Sequence, residues 1–283
     1  MNDNHGRSDK SDIREVVRVA YGNIASQHGS CCSSSSCCGN SAPDSLAEAI
    51  GYTMNDLAGL PEGSNMGLSC GNPTAIASLK PGDVVLDLGS GGGFDAFIAA
   101  RKVGSTGRVI GVDMIPEMIA KARKNNELFK VSSGLDNIEF RLGEIEHLPV
   151  ADATIDFVIS NCALNLSPDK NQVWMEIARV LKPGGKVCIS DLALLKSLPA
   201  EIKESIAALV GCIAGASLVS EIIEYIREAG LSEVNLVSHS EYIDQMQLAQ
   251  DEVFNEIMAH LPAGSKPGDF VTSLMIEAFK PDN

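Results

Sequence analysis

Within the first 73 residues the apolar positions keep a helical rhythm for one long stretch only. Ile13, Val16, Val17, Ala20 and Ile24 fall at i, i+3, i+4, i+7 and i+11, which predicts an amphipathic helix over residues 12–25. Asp12 and Glu15 read as a capping box at its start. Residues 26–43 lose the rhythm and are rich in serine, cysteine and glycine, which predicts a loop. A short helix is expected over 44–50 and a second loop over 59–73. From about residue 74, apolar runs of strand length alternate with helical stretches. VVLDLG (84–89), RVIGVD (108–113), IEFRLG (138–143), IDFVISN (155–161) and KVCISDL (186–192) read as strands. Between them lie helices at 94–103, from Pro116 onward, and in NQVWMEIARVL, the last closed by a Pro-Gly-Gly turn at 183–185. EIIEYIREAG reads as a further helix ending at Gly230, and VNLVSH and SLMIEAFK as two late strands. Alternating strands and helices at this spacing predict an α/β fold, a doubly wound and mostly parallel sheet with helices on both faces. The expected organisation is an N-terminal helix and loop region over 1–73, the core over 74–195, and an α+β region over 196–283 that completes the sheet.

Charge and composition narrow the function. The formal net charge is −15 and no Lys/Arg run occurs, so a nucleic-acid partner is not expected. No stretch of about 18 apolar residues is present, so no membrane span is expected. The start MNDNHGRSDKSD lacks an apolar signal segment, and a cytoplasmic location is the expectation. Cysteines in a reducing compartment are mostly thiols, and eight of them suggest soft-metal binding or redox work.

The first strand of the core runs into Asp87-Leu-Gly89-Ser-Gly91-Gly92-Gly93, glycines that let the backbone turn and approach a ligand at a helix N-terminus. A dinucleotide fingerprint wants a small residue at the sixth position, which counted from Gly89 is Phe94. Asp87 beside the loop would repel a pyrophosphate and welcome an ammonium. Asp113 ends the second strand 22 residues after Gly91 (113 − 91), where it can accept from both hydroxyls of a ribose. Ribose, ammonium and no phosphate describe S-adenosylmethionine. Glu144, past the third strand, is the expected acceptor of the adenine amino group, and Met114, Ile145 and Asn161 complete the expected cofactor site. The bland reading is a doubly wound domain whose Asp113 only caps a helix. These features, with RVLKPGGKV before the fifth strand, resemble the class I, Rossmann-like S-adenosylmethionine-dependent methyltransferases over about residues 74–195.

Cys70 lies in EGSNMGLSCGNP, Cys162 in ISNCALNLSPDK at the carboxyl end of the fourth strand, and Cys212 in LVGCIAGA, 50 residues later (212 − 162). With the VRVAYGNIA helix, these motifs resemble the arsenite methyltransferases over nearly the whole chain. The resemblance implies that Cys70, Cys162 and Cys212 hold trivalent arsenic, a soft centre that suits thiolate sulfur. It implies arsenite and methylarsenite as substrates, and a thiol reductant of the glutathione or thioredoxin type as partner. Cys70, reached from a loop, is expected to be the most mobile ligand. Cys188 alternates inside its strand and reads as a small core hydrophobe.

Cys31, Cys32, Cys37 and Cys38 in CCSSSSCCGN admit three readings: a zinc half-site, a solvated tract without function, or a mobile thiol arm that is accessory to the arsenic site by capturing arsenic or supplying electrons. Two other functions remain open at this point. A methyltransferase for a small organic molecule would need a base, for which Glu146 and His147 are the nearest residues, both read as surface loop. A thiol-rich scavenger would not need the cofactor residues.

Overall fold

The computed structural model describes residues 5–26, 43–203, 205, 212–239, 259–262 and 264–282. Nine helices are described: α1 (His5–Ser26), α2 (Pro43–Ala49), α3 (Met54–Leu57), α4 (Pro73–Ala77), α5 (Phe94–Val103), α6 (Pro116–Ser133), α7 (Lys170–Val180), α8 (Ala200–Lys203) and α9 (Val219–Glu228). The strands are β1 (Val84–Leu88), β2 (Arg108–Asp113), β3 (Ile138–Leu142), β4 (Ile155–Asn161), β5 (Leu181–Leu194), β6 (Ser232–His239) and β7 (Val271–Phe279). They form one sheet in the order β3-β2-β1-β4-β5-β7-β6. β1 to β5 pair in parallel, and β7 runs antiparallel to both β5 and β6. Among the described residues no helix is long and apolar enough to cross a membrane.

The two-residue period of the strands divides the core. Leu86, Leu88, Val112 and Val158 face one side and pack with Trp174 and Ile177 of α7 and Ile222 and Ile226 of α9. Val85, Val109 and Ile159 face the other and pack with Phe97 and Ala100 of α5 and Phe129 of α6. Both faces of the central strands are therefore covered, which is why VVLDL and its neighbours read as unbroken apolar runs. Because strand order reverses between β1 and β4, their carboxyl ends open a crevice, the place where such sheets bind ligands.

The structure differs from expectation at three local points. Helix α1 begins at His5, so positions 12 and 15 lie inside it rather than at its start; Glu15 pairs with Arg18 at 3.0 Å. Strand β5 starts at Leu181, which pairs with Ile155, and the register shifts before Phe157 meets Lys186. The Pro-Gly-Gly segment is thus a bulge within a strand, with Gly184 at φ +72° supplying the left-handed residue. Finally, the short helices α3 and α4, capped by Thr53 and Asn72, carry too few residues to show a period.

Ile177 is fully buried between α7 and the sheet. Ile177→Ala is expected to cost about 2–5 kcal/mol of stability, as large-to-small core changes do. Guanidinium unfolding followed by the fluorescence of Trp174, the chain's one tryptophan, measures it.

Candidate active site

The glycine loop is built by close approach. Gly89 and Ser90 N–H donate to the Val112 carbonyl at 2.8 and 3.0 Å, folding the chain back over β2. Gly89 sits at φ +69°, and a Cβ there would lie 2.4 Å from the Ala163 Cβ, so only glycine fits. Asp113 ties this loop to α6: its Oδ2 accepts from Gly91 N–H and its Oδ1 from Ile115 N–H, both at 2.9 Å. Asp113 thus binds the amide of Ile115, the residue that precedes α6, while the helix itself has no side-chain cap, so the capping role weighed in the sequence is not what is seen. Burial raises Asp113 to about 6, against the pull of the Ile115, Gly91 and Met114 N–H groups.

Asp87, at the carboxyl end of β1, is buried, and its Oδ2 has no hydrogen-bond partner among the described residues. Burial, then Asp95 and Asp113, push its carboxyl well above the usual range. Burial likewise raises Asp95, in the first turn of α5, to about 6. An orphaned carboxylate in an acidic cluster is stabilised by a cation that brings its own donors. This fits the ammonium and sulfonium of S-adenosylmethionine, with Asp87 and Asp113 as the residues that would hold it.

A cavity opens beside the loop, with Val17 and Tyr21 of α1, Met114, Ile145, Asn161 and Cys162 among its walls. Gly89, Gly91 and Asp113 also line it. Glu144 does not; it lies 3.4 Å from Arg14 and 4.0 Å from Arg18, so α1 engages it. Glu146, expected on a surface loop, is instead buried, paired with Arg14 at 3.1 Å, hydrogen-bonded by Ser167 Oγ at 2.7 Å and part of the cavity wall. Its arginine sits on α1, 132 residues away, so nothing local in the sequence announces its burial. Tied up this way, it is a poor general base. His147 is exposed, as read.

Cys70 and Cys162 are joined as a disulfide, with Cα atoms 6.1 Å apart, where the sequence reading had two thiols. Cys162 follows β4 directly and donates its N–H to the Ser190 carbonyl of β5 at 2.9 Å. Cys212 Sγ lies 3.2 Å from the Cys162 carbonyl oxygen and 3.8 Å from the Tyr21 hydroxyl. Cys162 and Cys212 both adopt left-handed backbone, at φ +51° and +62°, uncommon for a residue with a Cβ and a form of strain that concentrates at functional sites. Burial, then Asp191, push the Cys212 thiol up, so it stays protonated at neutral pH; the Tyr21 and Lys170 contacts pull the other way. Asp191, which the sequence reading missed, brings a carboxylate oxygen within 4.8 Å of both the Cys70 and Cys162 sulfurs, and burial raises it to about 7. Its signal was its place in KVCISDL at the carboxyl end of β5. Cys188 is buried in the core, where burial pushes it up to about 12, as its reading requires. Cys31, Cys32, Cys37 and Cys38 lie outside the described residues.

A family model described as a methyltransferase domain matches residues 79–230. An arsenite methyltransferase of Halobacterium salinarum is 41% identical over 281 residues, covering 96% of this chain and 68% of the relative. The chain belongs to the arsenite methyltransferase family. A second arsenite methyltransferase, from Aquipseudomonas alcaligenes, is 34% identical over 80% of this chain and 64% of its own length. The chain thus spans about two thirds of the length of these two relatives. The crystal structure of an arsenic(III) S-adenosylmethionine methyltransferase from Chlamydomonas reinhardtii superposes with a TM-score of 0.59 at 29% identity, covering 84% of this chain and 76% of that one. The resemblance read from the cysteine motifs and the fold expected from the strand pattern both agree with these relatives.

For this arsenite methyltransferase relative, Asp113→Ala is expected to weaken S-adenosylmethionine binding by about 1.5–3 kcal/mol, the value of a charged acceptor, by calorimetry. The affinity is also expected to fall as pH drops from 7.5 to 5. Asp95 and Asp113 take up protons near 6 in the free protein, and the cation prefers the ionised carboxylates. Calorimetry across that range checks the sign.

Proposed function

We propose that this chain transfers methyl groups from S-adenosylmethionine to trivalent arsenic held by Cys70, Cys162 and Cys212. The observation that carries the reading is the packing of Cys70 and Cys212, from distant parts of the chain, around Cys162, which lines the cleft that holds Gly89, Asp113 and Asn161. Family membership supports the reaction, and the chemistry of sulfur supports the ligand set.

Each thiol that replaces a hydroxyl on arsenous acid gives up its proton to the departing hydroxyl as water, so capture by neutral thiols such as Cys212 needs no external base. Three sulfurs leave the arsenic lone pair on the open side of a pyramid. The work of the protein is then positioning, which is worth up to about 7–11 kcal/mol in well-oriented intramolecular cases. S-adenosylmethionine, when bound, supplies a methyl group on a positively charged sulfur. Asp87 and Asp113 fix the cofactor, Cys162 lines the same cleft, and Cys212 Sγ lies 3.2 Å from the Cys162 carbonyl oxygen.

Methylation formally oxidises arsenic by two electrons. A thiol pair that becomes a disulfide returns those electrons and keeps arsenic trivalent. Cys70 and Cys162 are a pair of this kind, and a thiol reductant of the glutathione or thioredoxin type would reopen their disulfide. The Cys31–Cys38 tract is an accessory thiol arm in this reading. Glu146 is held by Arg14 and Ser167, which disfavours an organic substrate that needs a base.

Inorganic arsenite offers three positions for sulfur and a monomethylated arsenical two. Cys70→Ser is therefore expected to abolish methylation of arsenite and to retain part of the activity on methylarsenite, whereas Cys162→Ser and Cys212→Ser abolish both. Steady-state assays on both substrates decide this, and full activity of either of the last two variants would refute the ligand set. Replacing Cys31, Cys32, Cys37 and Cys38 together by serine is expected to spare folding and cofactor affinity and to slow turnover when free thiol is scarce. Loss of a stoichiometric zinc ion, by elemental analysis, would instead make the tract structural.

A further inference from the structure

Cys70 lies in a loop, yet the peptide groups around it are gripped by the half-buried Asn161 and the buried Ser273. Its N–H donates to Asn161 Oδ1 at 3.0 Å, and its carbonyl accepts from Ser273 Oγ of β7 at 2.7 Å. The next carbonyl, of Gly71, accepts from Asn161 Nδ2 at 2.8 Å. A Cβ on Gly71 would come within 2.1 Å of Ser190 Oγ, so the segment is pressed onto β5. This is a tighter hold than the mobile ligand expected from its loop position.

Asn161 is itself held from behind. The Tyr52 hydroxyl donates to Asp95 Oδ1 at 2.7 Å, Asn161 Nδ2 lies 3.0 Å from that hydroxyl and 3.1 Å from Asp95 Oδ2, and the three groups close a ring. Asp95 opens α5 directly after the glycine loop. The Tyr52 ring packs on Phe94 with centroids 4.9 Å apart, so the ring can stay when the hydroxyl is removed. Neither Tyr52 nor Ser273 lines the cofactor cavity beside Cys162.

We propose that Tyr52, acting through Asn161, and Ser273 are positioning residues that hold Cys70 in register with Cys162, and that this hold sets the preference for inorganic arsenite over methylated arsenic. The inference deepens the three-sulfur reading and rests on it, because only the substrate with three open positions needs Cys70. Loosening Cys70 from either side penalises the first methylation and spares the second.

The test compares the parent, Tyr52→Phe and Ser273→Ala with excess thiol reductant. Each variant is expected to lose about tenfold in kcat/KM on arsenite, the scale of one buried hydrogen bond, and less than about twofold on methylarsenite. Cofactor affinity and Tm are expected to stay near the parent values. Parallel losses on both substrates, or no loss on either, overturn the inference. A second readout needs no turnover. In a background with Cys31, Cys32, Cys37, Cys38 and Cys212 replaced by serine, the equilibrium of the Cys70–Cys162 disulfide with glutathione reports the effective concentration of one thiol at the other. Both variants are expected to lower it about tenfold, and an unchanged equilibrium overturns the inference. If it falls while the parent methylates neither arsenical, the positioning stands and the proposed function fails.

Discussion

The close passage of the end of β4 over the glycine loop is the constraint on which the rest of the site depends. A Cβ on Gly89 would collide with Ala163, and the hydroxyl of Ser160 donates to the Leu88 carbonyl at 2.9 Å, so the two strand ends are in direct contact. Between those two contacts the chain turns left-handed at Cys162, which lines the cleft beside the glycine loop. Cofactor cleft and sulfur site therefore share one wall, made of Gly89, Asn161 and Cys162. Positioning catalysis of the kind proposed needs little more than such a shared wall, because the reaction asks for alignment more than for proton transfer.

Electrostatics reinforce the same arrangement. Asp87, Asp95 and Asp113 are buried around the loop, and the orphaned Asp87 oxygen marks where positive charge belongs. On the sulfur side, burial and then Asp191 keep the Cys212 thiol neutral. The cleft is thus acidic beside the glycine loop, where the cofactor cation is proposed to bind, and holds a neutral thiol at Cys212, where arsenic is proposed to bind. Helix α1 crosses both regions, through Arg14 on Glu146 and Tyr21 beside Cys212.

The fold was legible because a parallel sheet buried on both faces writes itself as apolar runs at regular spacing, and the carboxylates proposed to hold the cofactor, Asp87 and Asp113, sit at strand ends where chain direction alone predicts ligands. Four things escaped. Glu144 and Glu146 are neighbours in a loop, and only the position of Arg14 on α1 decides that the first pairs with α1 and the second is buried in the cavity wall. Asp191 read as part of a strand, because its nearness to two sulfurs depends on the register of β4 against β5. The pairing of Cys70 with Cys162 spans 92 residues, and the hold on Cys70 by Ser273 spans 203, distances over which no spacing rule reaches. Short helices such as α3 also left no trace, since four residues carry no period.

The central claim, that three protein sulfurs surround arsenic, is tested most directly by arsenic X-ray absorption on reduced protein carrying one equivalent of arsenite, with Cys31, Cys32, Cys37 and Cys38 replaced by serine. The account predicts a first shell of three sulfurs and no oxygen, falling to two sulfurs and one oxygen when Cys212 is also serine. Oxygen neighbours in the protein with Cys70, Cys162 and Cys212 intact, or three sulfurs retained without Cys212, would contradict it.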